Sequence, residues 1–204
     1  MSSAPAPSRP RCPRCERPLS ACVCHWTRPT DNQVSVLILQ HPQERHHAKN
    51  SAGLLTLSLA RCRREVGEVF DPVQLSEWIG PTRSAALLYP NTGLGPETDA
   101  RPPQIRKLVI IDATWRKSLR MLAGNPLLQS LPRLALQDTP APRYRIRRAR
   151  QPHQLSTLEA CCQALGELED RPAHYEALLA AFDGFVAEQA RWMAGLPPPQ
   201  PSIS

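Results

Sequence analysis

The sequence predicts an α/β fold, a mostly parallel sheet flanked by helices, with a short cysteine-rich segment in front of it. Three observations carry this reading. Short apolar runs alternate along the chain with segments of helical spacing, the order that builds parallel sheets. Two of the runs, Val34-Ser-Val-Leu-Ile-Leu-Gln40 and Lys107-Leu-Val-Ile-Ile111, are almost unbroken, as strands covered on both faces require. The chain has 204 residues, 41% of them hydrophobic, which suffices for one core but not comfortably for two.

The remaining strands are read at Ser84-Ala-Ala-Leu-Leu-Tyr89 and Leu131-Pro-Arg-Leu-Ala-Leu136. Helical spacing covers 52–62, 72–79 and 116–122. A longer helix starts at Ser156-Thr-Leu-Glu159, which fits a capping box: the serine hydroxyl accepts from the third helical amide, and the glutamate returns to the cap amide. A last helix is expected over 174–194, with Tyr175, Leu178, Leu179, Phe182, Phe185, Val186 and Trp192 recurring at helical intervals. Residues 1–11 and 196–204 are rich in proline and small or polar residues and are read as disordered. Between them lie the cysteine segment, 12–25, and one domain, 26–195.

Net charge is +7, and Arg143, Arg145, Arg147, Arg148 and Arg150 fall together, so a polyanionic partner is expected. No run approaches the roughly 20 apolar residues that cross a bilayer, and residues 1–5 carry no apolar core of the kind an export signal needs. The expectation is a cytoplasmic protein without a membrane segment. In a reducing compartment the seven cysteines point to metal sites or buried thiols rather than to disulfides.

Cys12-x2-Cys15-x6-Cys22-x-Cys24 places four sulfurs close together in sequence. Zinc takes four soft ligands at the corners of a tetrahedron, and a Cys-x2-Cys turn supplies two from one loop. Four thiolates leave no open coordination position, so a structural Zn2+ site is expected, one that orders a segment too short to fold alone. His25 follows directly and reads as a surface residue. Cys62, Cys161 and Cys162 fall on expected helices, where buried small hydrophobes are the default.

Three strand ends share a feature that a core does not need. The runs stop at His41-Pro-Gln-Glu44, at Tyr89-Pro-Asn-Thr-Gly93 and at Asp112-Ala-Thr-Trp115. In open α/β sheets, ligands bind beyond the carboxyl ends of strands. Asp112 or Thr114 could instead cap the following helix, with Trp115 as a packing residue. Downstream, Tyr144-Arg-Ile-Arg-Arg148 precedes the Ser156 helix start, a pairing suited to a carboxylate or a phosphate.

Taken together and in this order, these elements resemble the DTW-domain family of tRNA-uridine aminocarboxypropyltransferases, named for Asp-x-Thr-Trp. The resemblance covers about residues 12–165 and rests on six pieces: the cysteine cluster, His41-Pro-x-Glu44, Tyr89-Pro90, Asp112-Ala-Thr-Trp115, Tyr144-x-x-Arg147 and Ser156-Thr-x-Glu159. One position departs: Asn50-Ser-Ala-Gly53 lacks the arginine that the family tends to carry there.

The resemblance implies a fold related to the SPOUT methyltransferases, with a trefoil knot, an exception to the rule that chains do not thread loops. It implies transfer of the 3-amino-3-carboxypropyl group of S-adenosyl-L-methionine to N3 of a tRNA uridine. On that reading Leu88, Tyr89, Pro90, Asn91, Thr92, Ile111, Leu155, Ser156 and Thr157 grip the donor. Asp112 acts as base or orienting group at N3, Thr114 holds the uracil edge or a carboxylate, and Trp115 offers a stacking plane. Tyr144, Arg145, Arg147, Arg148, Arg45 and Lys49 face the tRNA. Two other readings are a SPOUT-like methyltransferase using the same donor and a zinc-containing RNA-binding protein without catalysis. Monomer and homodimer are equally compatible with the sequence.

Overall fold

The computed structural model describes residues 10–45, 50–90, 105–136 and 155–195. Five strands form one sheet: β1 (Ser35–Gln40), β2 (Cys62–Val66), β3 (Ala85–Leu88), β4 (Lys107–Asp112) and β5 (Arg133–Leu134), in the order β2-β1-β4-β3-β5. Every pairing is parallel. The helices are α1 (Ala52–Ser58), α2 (Pro72–Ile79), α3 (Trp115–Gly124), α4 (Pro126–Ser130), α5 (Thr157–Leu168) and α6 (Glu176–Met193), with short 3-10 turns between elements.

The period-2 alternation of a strand divides the core in two. Val36 and Ile38 of β1, with Leu108 and Ile110 of β4, pack on one face against α1, α5 and α6. Leu37 and Leu39, with Leu87 and Val109, pack on the other against α2, α3 and α4. The unbroken apolar runs thus have the physical cause expected of them: both faces of β1 and β4 are covered.

Some elements differ from the sequence reading. The helix expected over 52–62 stops at Ser58, and Cys62 opens β2, paired with Val36 of β1. This strand, Cys62-Arg-Arg-Glu-Val66, lies at the sheet edge, where charged side chains blunt unwanted pairing and erase the apolar signature. Arg63 lies over the ring of Trp78, 4.6 Å from its centroid, and pairs with Glu65 at 2.6 Å. The run 131–136 contributes only a two-residue edge strand. The five-residue α4, entered through Pro126, is too short for periodicity to reveal. Trp192 continues the apolar pattern of α6 in sequence yet is 58% exposed.

β1 leads through α1 to β2 on one side of the sheet, whereas the neighbouring β4 leads through α3 and α4 to β5 on the other. Chains leaving adjacent strands in opposite directions open a crevice at the carboxyl edge, where α/β folds bind ligands. The three polar strand ends lie on this edge. The knot expectation concerns the C-terminal connections, of which 137–154 lie outside the described residues.

Candidate functional site

β1 and β4 run in register, with Gln40 opposite Asp112. The Asp112 carboxylate is held from two sides: Gln40 Nε2 donates to Oδ2 at 2.7 Å, and Thr157 Oγ1 donates to Oδ1 at 2.6 Å. Strand β4 is thereby tied to β1 and to the first residue of α5. Thr157 is placed by the capping box: Ser156 Oγ accepts from the Glu159 amide at 3.2 Å, and Glu159 Oε2 accepts from the Ser156 amide at 2.8 Å. Asp112 does not cap α3. Thr114 occupies the N-cap position without a side-chain bond and is exposed.

Beside this junction lies a cavity of about 460 Å³. Of the nine residues read as donor-binding, Leu88, Tyr89, Pro90, Ile111, Leu155, Ser156 and Thr157 line it. Asn91 and Thr92 lie outside the described residues. Trp115 and Ala113 line it as well, along with apolar residues of β4, β5 and α5. Asp112 and Thr114 are not on the wall; Asp112 reaches it through its hydrogen bond to Thr157. A site of roughly 300–1,000 Å³ with an apolar lining and a few fixed polar groups suits a cofactor-sized molecule.

Tyr89 and Trp115 form one wall. Their rings stack with centroids 5.4 Å apart and planes 16° from parallel, while Trp115 remains 49% exposed. Tyr89 Oη lies 2.9 Å from Ser118 Oγ. Because the Ser118 hydroxyl donates to the Trp115 carbonyl at 2.8 Å, Tyr89 is the donor in that pair. Burial raises the Tyr89 phenol above its ordinary pKa, against the opposing pull of Ser118 and of Arg133, whose guanidinium lies 5.6 Å from the ring centroid. The phenol is therefore a neutral structural donor that fixes the indole.

The His41-Pro-Gln-Glu44 corner folds against the same edge. The His41 amide donates to the Asp112 carbonyl at 3.0 Å, and Nδ1 of His41 accepts from the Gln43 amide at 3.2 Å. Glu44 pairs with Lys117 of α3 at 2.8 Å, and Asn50 Nδ2 donates to the Glu44 carbonyl at 2.6 Å. These contacts make the corner a brace between β1, α1 and α3. Lys49, Tyr144, Arg145, Arg147 and Arg148 lie outside the described residues; Arg45 is exposed and pairs with Glu16 at 3.0 Å.

The second site is the cysteine cluster. The sulfurs of Cys12, Cys15, Cys22 and Cys24 all lie within 4.8 Å of one another, with Cys12–Cys24 at 3.7 Å and Cys15–Cys22 at 3.8 Å. A metal–sulfur bond of about 2.3 Å sets a tetrahedral sulfur–sulfur edge of about 3.8 Å, so the four positions fit a tetrahedral ion. No disulfide joins the described cysteines. Backbone amides of Cys15 and Arg14 lower the Cys12 thiol to about 6, despite opposing desolvation. The segment is docked on α6 through Trp26, whose indole donates to Glu188 and packs over Gly184. His25 binds the same carboxylate at 2.9 Å and stands outside the four-sulfur set. Cys161 and Cys162 are buried core residues; Cys62, on β2 rather than on a helix, is partly buried.

Gln40 is the site residue that sequence reasoning missed. Its signal was a polar residue ending an otherwise apolar strand that is fully buried here. Among the described residues, no helix is long and apolar enough to cross a membrane.

A parallel sheet with a ligand-sized crevice at its switch point, and a docked four-cysteine knuckle, define an α/β protein built to hold a small molecule at the carboxyl edge. The DTW domain family model matches residues 9–190, and the chain belongs to that family. It is similar to the tRNA-uridine aminocarboxypropyltransferase 2 of Mus musculus, at 30% identity over 90% of this chain and 65% of the relative. The Drosophila melanogaster protein of that name is 31% identical over 88% of this chain and 74% of its own length. An Arabidopsis thaliana tRNA-uridine aminocarboxypropyltransferase A is 27% identical over 57% of this chain and 52% of its own. The chain thus spans just under two thirds of the mouse relative's length. No solved structure matches it at a significant level.

Proposed function

We propose that this protein transfers the 3-amino-3-carboxypropyl group of S-adenosyl-L-methionine to N3 of a tRNA uridine. The supporting observation is the meeting of three sequence-distant corners, Tyr89-Pro90, Ala113–Trp115 and Leu155–Thr157, around one cavity of about 460 Å³. Family membership and the names of the relatives point the same way. The SPOUT-like relation and the knotted path belong to this reading, as does a cytoplasmic location.

In the transfer a bond forms between uridine N3 and the γ-carbon of the methionine chain as the carbon–sulfur bond breaks. The bonding pair stays on sulfur, the sulfonium becomes the neutral thioether of methylthioadenosine, and N3 loses its proton. Orientation is the main demand, because the γ-carbon rather than the methyl must face the nucleophile in line with sulfur. Fixed placement supplies several kcal/mol of such a barrier.

Leu88, Tyr89, Pro90, Ile111, Leu155, Ser156 and Thr157 hold the donor in this reading. Asp112 serves as the proton acceptor, with the Thr157 hydroxyl, 2.6 Å from Oδ1, as the bridge to the cavity. Each carboxylate oxygen already accepts one bond and keeps one further acceptor position. Trp115, backed by Tyr89, offers a stacking face for an extruded base. Exposed Thr114 holds the uracil edge or a carboxylate. Tyr144, Arg145, Arg147, Arg148, Arg45 and Lys49 contact the tRNA. The cysteine knuckle holds Zn2+, which supplies structural order with all four positions filled by protein.

The test is mass spectrometry of nucleosides from tRNA incubated with pure protein and the donor. An aminocarboxypropyl adduct on uridine is expected; a methyl adduct or unmodified tRNA would overturn the assignment.

A further inference from the structure

A second cavity, about 260 Å³, lies on the α1–α6 side of the molecule between the cysteine knuckle, the edge strand β2 and the end of α6. It shares no residue with the first. Four arginines line it, Arg11, Arg17, Arg45 and Arg64, against the carboxylates of Glu16 and Glu188. Both carboxylates are engaged: Glu16 pairs with Arg45 at 3.0 Å, and Glu188 accepts from Trp26 and binds His25 at 2.9 Å. Arg17 stands next to Cys15 and Cys22, donates to the Asn50 carbonyl at 3.4 Å and lies 5.4 Å from the Phe185 ring centroid. It therefore answers the negative charge of the knuckle.

Two cations are left with donors to spare. Arg11 gives one N–H to the Glu16 carbonyl at 2.8 Å, and Arg64 makes no ion pair or hydrogen bond among the described residues. Beside them stands Trp192, 58% exposed although it continues the apolar pattern of α6. Guanidinium groups with an exposed indole are the composition of a single-stranded nucleic-acid platform, in which cations track phosphates and an aromatic ring stacks a base.

We propose that this groove is a second RNA contact, holding a single-stranded stretch of the tRNA away from the target uridine, with Arg11 and Arg64 on phosphates and Trp192 under a base. The inference rests on tRNA being the substrate. It gives the knuckle a role beyond local order, since Cys15 and its neighbours form one bank of the groove.

The experiment uses the full chain and bulk tRNA. Affinity is measured over a range of salt for wild type, Arg11→Ala/Arg64→Ala and Trp192→Ala, with transfer kinetics in parallel. The double variant should lose about 10-fold or more in affinity at low salt, and its log–log salt slope should fall by about 2, one per phosphate released. Trp192→Ala should weaken binding about 5- to 100-fold with little change in slope. Both should keep the wild-type kcat at saturating tRNA and the wild-type affinity for the donor, which also shows that they fold. Wild-type affinity and slope in both variants would overturn the proposal. So would loss of binding to an acidic polypeptide while tRNA binding stays intact, which would assign the groove to a protein partner. Weakened tRNA binding by the variants, with no transfer by the wild type, would leave the groove standing and remove the transferase reading instead.

Discussion

Gln40 and Asp112 face each other across the β1–β4 pair, amide nitrogen to carboxylate oxygen at 2.7 Å. The orientation of the amide is set by charge, because the reverse would press its oxygen on a carboxylate. Gln40 Oε1 is then left buried without a partner among the described residues. An unsatisfied buried acceptor costs about 1–3 kcal/mol, a cost that proteins tolerate chiefly where a function uses the group.

Gln40→Leu should therefore leave the fold intact and damage turnover. It removes the unsatisfied oxygen together with one of the two donors that aim Asp112. A fall of about 10-fold in kcat is expected with unchanged KM for the donor. Steady-state kinetics with a thermal melt would check this, and unchanged kcat would remove Gln40 from the site.

Asp112→Asn keeps the size of the side chain but abolishes its charge and basicity. Transfer should drop about 10²- to 10⁴-fold, the usual contribution of a positioned base, with the circular dichroism spectrum unchanged. Thr157→Val should fall in the same direction, since it breaks the 2.6 Å bond to Oδ1. Near-normal transfer by Asp112→Asn would assign proton removal elsewhere.

The cysteine knuckle should hold one tetrahedral ion per chain. Elemental analysis is expected to give one zinc for the wild type and a large loss for Cys22→Ser. A strong chelator should lower the melting temperature, because binding of the ion is part of the folding free energy of the segment. A metal-free wild type with the same melting point as the loaded protein would contradict the assignment.

Gly184 lies under the ring of Trp26, and a Cβ there would overlap the indole. Alanine is favoured over glycine in a helix by up to about 1 kcal/mol, but overpacking a fitted contact costs about 1–3 kcal/mol. Gly184→Ala should thus be net destabilising and should loosen the knuckle from α6, seen as a lower denaturation midpoint. A gain in stability would show that the indole yields easily.

The thiol of Cys62 is pushed up to about 12 by burial, against smaller opposing effects of Thr56 and Arg64. Burial also raises the phenol of Tyr175, helped by its bond to Glu169. For both groups the fold favours the protonated form. Their contribution is complete below the ordinary values, 9.0 and 10.0, and is lost as pH rises above them. For Cys62 the window runs from about 9 to about 12, at no more than about 1.4 kcal/mol per pH unit. Denaturant melts at pH 8 and above pH 10 should show lower alkaline stability, with a smaller drop in Cys62→Ala. Equal pH dependence in the two proteins would exclude this thiol as a source.

The sequence by itself determined the elements whose physics is local. The runs at 34–40 and 107–111 announced strands covered on both faces, and Ser156-Thr-Leu-Glu159 announced a capped helix start, because periodicity and capping act over a few residues. The spacing of Cys12, Cys15, Cys22 and Cys24 likewise announced a four-sulfur cluster, since one short loop supplies every ligand. Only the tertiary structure decided what depends on neighbours distant in the chain. β2 became a strand because β1 offered Cys62–Val66 an open edge, overriding a polar sequence. Gln40 joined the site because parallel register set it opposite Asp112, 72 residues away. Trp192 stayed exposed at the end of α6 although the helical pattern placed it with the core. Burial is set by what packs against a position, and no single segment carries that information.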